Sequence, residues 1–89
     1  MRAIVTVVGK DQVGLTGKVA TVLSENNINI LDISQTILAD FFTMVMLVDA
    51  DKCELEFTEL ADILKQNGEK ICVDIRIQRE DIFNAMHKI

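Results

Sequence analysis

Residues 9 to 35, GKDQVGLTGKVATVLSENNINILDISQ, decide how this chain folds. A run of β-branched residues ends at Gly9, and a short loop, Lys10-Asp11-Gln12-Val13-Gly14, leads into a helical pattern. Leu15, Val19, Val22 and Leu23 fall at i, i+4, i+7 and i+8, one apolar stripe. The spacing predicts a helix over 12 to 26, with Asp11 just ahead, where its carboxylate can accept from first-turn N–H groups. Asn26-Asn27 closes the helix, and Ile28-Asn29-Ile30 opens a strand at once. This order aims free backbone N–H groups, one acid (Asp11) and one amide (Asn29) at a common spot. A small ligand with both amino and carboxylate groups suits such a spot, which reads as a sensor rather than an active site.

Working outward, residues 2 to 9 (RAIVTVVG) are apolar on both faces and predict a strand buried on both sides. Residues 28 to 38 alternate, with Asn29, Leu31, Ile33, Gln35 and Ile37 on one face and Ile30, Asp32, Ser34 and Thr36 on the other. Ala39-Asp40 is a short turn, so Phe41 to Val48 (FFTMVMLV) returns antiparallel and is again apolar on both faces. A second helix is expected from Cys53 to Gln66, with Phe57, Leu60, Ala61 and Leu64 on one stripe and Asn67-Gly68 as its left-handed stop. Residues 71 to 78 alternate as a fourth strand, with Ile71, Val73, Ile75 and Ile77 inward. A terminal helix over 80 to 89 starts on acids and ends on His87-Lys88, matching the helix dipole.

The fold class is therefore α+β: a ferredoxin-like βαββαβ sandwich, antiparallel sheet order 4-1-3-2, with an extra C-terminal helix. Strands one and three, the two-sided ones, take the centre. Two helices cover only one face of such a sheet, so the terminal helix, through Ile82, Phe83, Met86 and Ile89, is expected to cover the other, in its own subunit or a partner's.

With 89 residues the chain is a single domain over 1 to 89, core 1 to 78, and buries only about 60–65% of its unfolded surface. Nine basic against fourteen acidic residues give a net charge of −5, which phosphate backbones repel, so direct nucleic-acid binding is not expected. Cys53 and Cys72 match no metal or redox spacing and read as reduced thiols. No apolar run approaches membrane-spanning length and the N-terminus enters a strand directly, so a cytoplasmic home is expected and no membrane partner.

The loop–helix–strand residues Asp11-Gln12-Val13-Gly14-Leu15, Asn26-Asn27 and Ile28-Asn29-Ile30 resemble the ACT domain, a regulatory module that binds amino acids in many metabolic enzymes and regulators. The chain is most similar to small stand-alone prokaryotic ACT proteins related to the glycine-cleavage transcriptional repressor. That resemblance implies that Asp11 meets the ligand's amino group, that Gly14 opens the helix, and that Asn29 binds across a dimer interface. The full set it implies is Asp11, Gln12, Val13, Gly14, Leu15, Asn29, Ile30 and Leu31. It further implies a homo-oligomer, a dimer first of all, and a regulatory protein partner that receives the signal. The chain departs from some ACT domains at Val13, where they have proline, and at Gly9, where they have a polar side chain.

Chemistry supports the carry-over: glycine permits close backbone approach, helix N-termini attract carboxylates, and an amide donates and accepts at once. The same residues also have bland roles, Asp11 as a helix cap, Gly14 as a packing glycine and Asn29 as a turn residue. Catalysis is not expected. A phosphate-handling enzyme of this architecture would want an arginine in the first loop, which has Lys10 and Asp11, and the sole histidine is far away at 87. A copper carrier needs two thiolates in that loop, and an RNA binder needs aromatics on strand one; neither is present. No cofactor or metal is expected. Two functions remain: an amino-acid-binding regulatory module, or a ligand-free protein that uses the fold for dimerisation and docking.

Overall fold

The computed structural model describes residues 1–10 and 12–81, with backbone alone at Leu38. The elements run β1 (Arg2–Lys10), α1 (Leu15–Glu25), β2 (Asn29–Leu38), β3 (Phe41–Asp49), α2 (Phe57–Lys70) and β4 (Val73–Arg79). They build one sheet in the order β2-β3-β1-β4, every neighbouring pair antiparallel. This is the ferredoxin-like order expected, with β1 and β3 central. Of the terminal helix expected over 80 to 89, only Glu80 and Asp81 are described, both helical, and all of it past Asp81 lies outside the described residues.

Both helices lie on one face of the sheet. Ala3, Val5 and Val7 of β1, Phe42, Met44, Met46 and Val48 of β3, and Val73, Ile75 and Ile77 of β4 bury that face against Leu15, Val19 and Leu23 of α1 and Leu60 and Leu64 of α2. On the opposite face burial is weaker than the two-sided reading of β1 and β3 predicts. Ile4, Thr6, Val45 and Leu47 are half-buried, and Val8 and Phe41 are exposed.

The ends of α1 follow local chemistry. Gln12-Val13-Gly14 is a turn rather than the first helical residues, because Gly14, at φ 75°, stands in the left-handed region and forms the N-cap. At the other end Asn27 is left-handed, at φ 59°. Its N–H donates to the Ser24 carbonyl at 3.0 Å and that of Ile28 donates to Leu23 at 3.0 Å. Those two bonds, with Ile28 and Leu23 both buried, make a Schellman stop.

The second helix departs from expectation at both ends. Cys53 to Glu56 precede it, and Asn67 and Gly68 lie inside it. The left-handed residue is Cys72, at φ 62°, so Ile71 becomes the C-cap and β4 starts at Val73. Gly68 serves close packing instead: a Cβ there would stand 2.7 Å from the Val73 carbonyl oxygen and 3.0 Å from Ile75 Cγ1. Asn67 satisfies itself by donating to the Ile63 carbonyl at 2.8 Å.

β2 also breaks the simple alternation. Ile30 pairs with Val48 but Asp32 pairs with Leu47, so Leu31 is an extra residue, a β-bulge. Ile30 therefore shares the helix face with Ile33, Gln35 and Ile37, whereas Asn29, opposite Asp49, shares the other face with Asp32, Ser34 and Thr36.

Candidate ligand site

The N-terminal end of α1 has the features of an anion-receptive helix end. Its first turn contains no acidic residue, and no described side chain caps it. First-turn N–H groups have no carbonyl one turn earlier in the helix, and the aligned peptide dipoles leave partial positive charge there. Gly14 is required for its φ rather than for space, since a Cβ would meet nothing within 4 Å. Leu15 is buried in the core, so only its backbone faces the loop, whereas Val13 is 96% exposed. Gln12 is half-buried, with both side-chain heteroatoms engaged inside the chain. Asp11 lies outside the described residues.

Gly9, where some ACT domains carry a polar side chain, leaves no room for one. A Cβ there would lie 2.6 Å from Val73 Cγ1 and 3.2 Å from the Val73 Cα, across the β1–β4 pair.

The Asn29 half is elsewhere. β1 and β2 are both antiparallel to β3 and so run the same way; the loop after β1 lies at one end of the sheet and Asn29 at the other. The 11 residues of α1 separate them by about 16 Å. One chain thus does not bring the loop and Asn29 to the common spot expected of them; they stand at opposite ends of the sheet.

Asn29 is exposed and lines an open groove of about 630 Å³ with Ser24, Asn27, Ile28, Asp49, Asp51 and Lys52. The Asp51 N–H donates to Asp49 Oδ1 at 2.9 Å, and the Met1 ammonium pairs with both carboxylates. Asp49, Asp51 and Lys52 were not anticipated; the polar run that ends β3 is the only signal of them in the sequence. Ile30 is half-buried at the core edge, and Leu31, in the bulge, is 47% exposed.

β2 is an edge strand, and among its described side chains Leu31, Ile33 and Ile37 are large, hydrophobic and exposed. An unpaired strand edge with apolar side chains is a template for another strand. Among the described residues no helix is long and apolar enough to cross a membrane.

Comparison with known proteins covers the same elements. The ACT domain family model matches residues 2–78. A UPF0237 protein of Listeria innocua is 52% identical over 89 residues, covering 100% of both chains. The solved ACT domain protein from Streptococcus pneumoniae superposes with a TM-score of 0.84 at 42% identity, covering 98% of each chain. A protein assigned as a glycine cleavage system transcriptional repressor shares the fold, with a TM-score of 0.72 at 20% identity over 86% of this chain and 44% of its own.

Proposed function

The chain belongs to the ACT domain family of regulatory, ligand-binding modules, and from that premise we propose that it binds an amino acid between two copies of itself and passes occupancy to a partner protein. In this reading the whole chain is a single such domain, acting in the cytoplasm without catalysis. The observation that carries it is the separation of the two half-sites to opposite ends of the sheet. A two-fold dimer paired antiparallel through the β2 edge reverses one copy relative to the other, so each loop end approaches the other copy's Asn29. The ligand carboxylate then sits at the first turn of α1, with Asp11 at the ammonium. Asn29, with the backbone of Ile30 and Leu31, closes the site from the other subunit. The exposed β2 residues supply apolar contact for the pairing.

Such a site works by differential affinity. The ligand stabilises the arrangement of subunits that completes it, typically by about 1–3 kcal/mol of coupling. Calorimetry of the purified protein against each of the twenty amino acids tests the reading. Binding by one or a few at micromolar to millimolar concentration is expected, and silence from all of them sinks it.

A second reading has its own support. Gly9 cannot carry a polar side chain against Val73, which removes one ligand contact, while the β2 edge remains available for pairing. A dimer that binds none of the twenty amino acids is the result that favours a ligand-free dimerisation and docking protein.

A further inference from the structure

The loop that opens α1 is fastened to the far end of α2. Gln12 Nε2 donates to the Ile71 carbonyl at 2.8 Å, bridging 59 residues of sequence. Gln12 Oε1 accepts from Lys18 Nζ at 3.3 Å, and the Gln12 carbonyl accepts from the Leu15 N–H at 3.3 Å. The residue therefore holds the α1 entry from three sides. Its anchor is tight. Ile71 is the C-cap of α2, and the next residue, Cys72, is left-handed. Val73 is then closed in by two glycines, since a Cβ on Gly9 would lie 2.6 Å from its Cγ1 and a Cβ on Gly68 2.7 Å from its carbonyl oxygen. The end of β1, the end of α2 and the start of β4 thus meet without room for one methyl group.

We propose that Gln12 is a positioning residue that makes the α1 entry loop and the α2–β4 turn move as one body, so that events at the loop are felt at Ile71–Val73. The ligand-dependent part of this inference rests on the amino-acid reading above, and it assigns the output end of the module. That end is the C-terminal turn of α2 rather than the outer surface of α1. Packed glycine contacts transmit displacement because close-packed interiors do not absorb it. The Gln12 amide supplies the only polar link from the loop to this junction among the described contacts.

Amide hydrogen exchange read by mass spectrometry separates this from a role in general stability. In ligand-free protein, Gln12→Ala is expected to speed exchange in the peptide spanning Glu69 to Val73 by about threefold to tenfold, the loss of one hydrogen bond. Exchange at Ser24 to Ile28, the other end of α1, stays unchanged. Gln12→Glu keeps the Lys18 contact but loses the donor to Ile71, and is expected to match Gln12→Ala. Unchanged exchange at 69 to 73 in Gln12→Ala, equal acceleration everywhere, or wild-type behaviour of Gln12→Glu overturns the proposal. Any of the twenty amino acids that gives calorimetric heat with both proteins, added at a concentration that saturates each, is then expected to slow exchange at 69 to 73 in the wild type but not in Gln12→Ala. Equal slowing in both overturns the tether and leaves the binding reading intact. Heat from none of them overturns the binding reading, and the ligand-free arm still decides the tether.

Discussion

Gly14 and Gly17 stand one turn apart and answer to opposite physics. Gly14 holds φ 75° in open space, so alanine there strains the backbone without a clash and should destabilise the fold by about 1–2 kcal/mol. Gly17 is exposed inside α1 with nothing within 4 Å of a Cβ, so Gly17→Ala should stabilise by about 1 kcal/mol. Urea unfolding of the two variants is expected to give shifts of opposite sign, and shifts of the same sign refute this account. Asn27 was legible as a helix stop because its backbone demand is local and asparagine accepts left-handed φ, whereas the stripe placed the helix start at 12, and the left-handed N-cap at Gly14 did not show in the periodicity. Gly68 was not legible, although it looks like a stop. What a glycine lets come close belongs to the strand 5 residues on, whose carbonyl arrives only when the chain folds back.

At the level of elements, the proposed pairing of two copies runs through β2. Ile33 and Ile37 project from its helix face yet remain 39% and 57% exposed. Replacing Ile37 by lysine places a charge where a second copy's strand would pack and leaves the buried core untouched. Ile37→Lys is expected to weaken self-association at least tenfold in analytical ultracentrifugation, with little change in the unfolding of the monomer; undiminished association would place the interface elsewhere. Element order and sheet order could be read from the sequence because apolar alternation and helical stripes are properties of each segment alone. The bulge at Leu31 leaves a trace that simple alternation passes over: the apolar residues fall on even positions at Ile28 and Ile30 and on odd ones at Leu31, Ile33 and Ile37. Pairing against β3 turns that change of phase into an extra residue and moves Asn29 to the face away from the helices. The end of α2 escaped for a related reason: its last turn is held by packing on β4, whereas Asn67-Gly68 carries a strong local signal to stop.

In the whole molecule, the loop at one end and Asn29 at the other can serve one ligand only if a second copy, turned about a two-fold axis, brings its Asn29 to the loop. The sequence supplied both residues, but the expectation that they meet between chains came from family resemblance, because no pattern within one chain says which ends of two copies touch. The shared site has a test that a single-chain site fails. Asp11→Ala and Asn29→Ala chains should each lose binding alone, yet mixing them equally should restore about one site in four, because half of the dimers are mixed and each mixed dimer keeps one intact site. Calorimetry of the mixture with the amino acid that binds the wild type measures this, and no recovery argues against a site shared in this way. Since the Leu31 bulge interrupts β2, a ladder between copies in the proposed dimer would have the stretch from Asp32 to Leu38 to run along. Pairing over that whole stretch would put the two-fold axis on Gln35, with Ile33 of one copy across from Ile37 of the other, and Gln35 would be the one position that meets itself. A lone cysteine there (Gln35→Cys, with Cys53→Ser and Cys72→Ser) should close spontaneously into a covalent dimer under mild oxidation, whereas a cysteine at Ser34 or Thr36 should not.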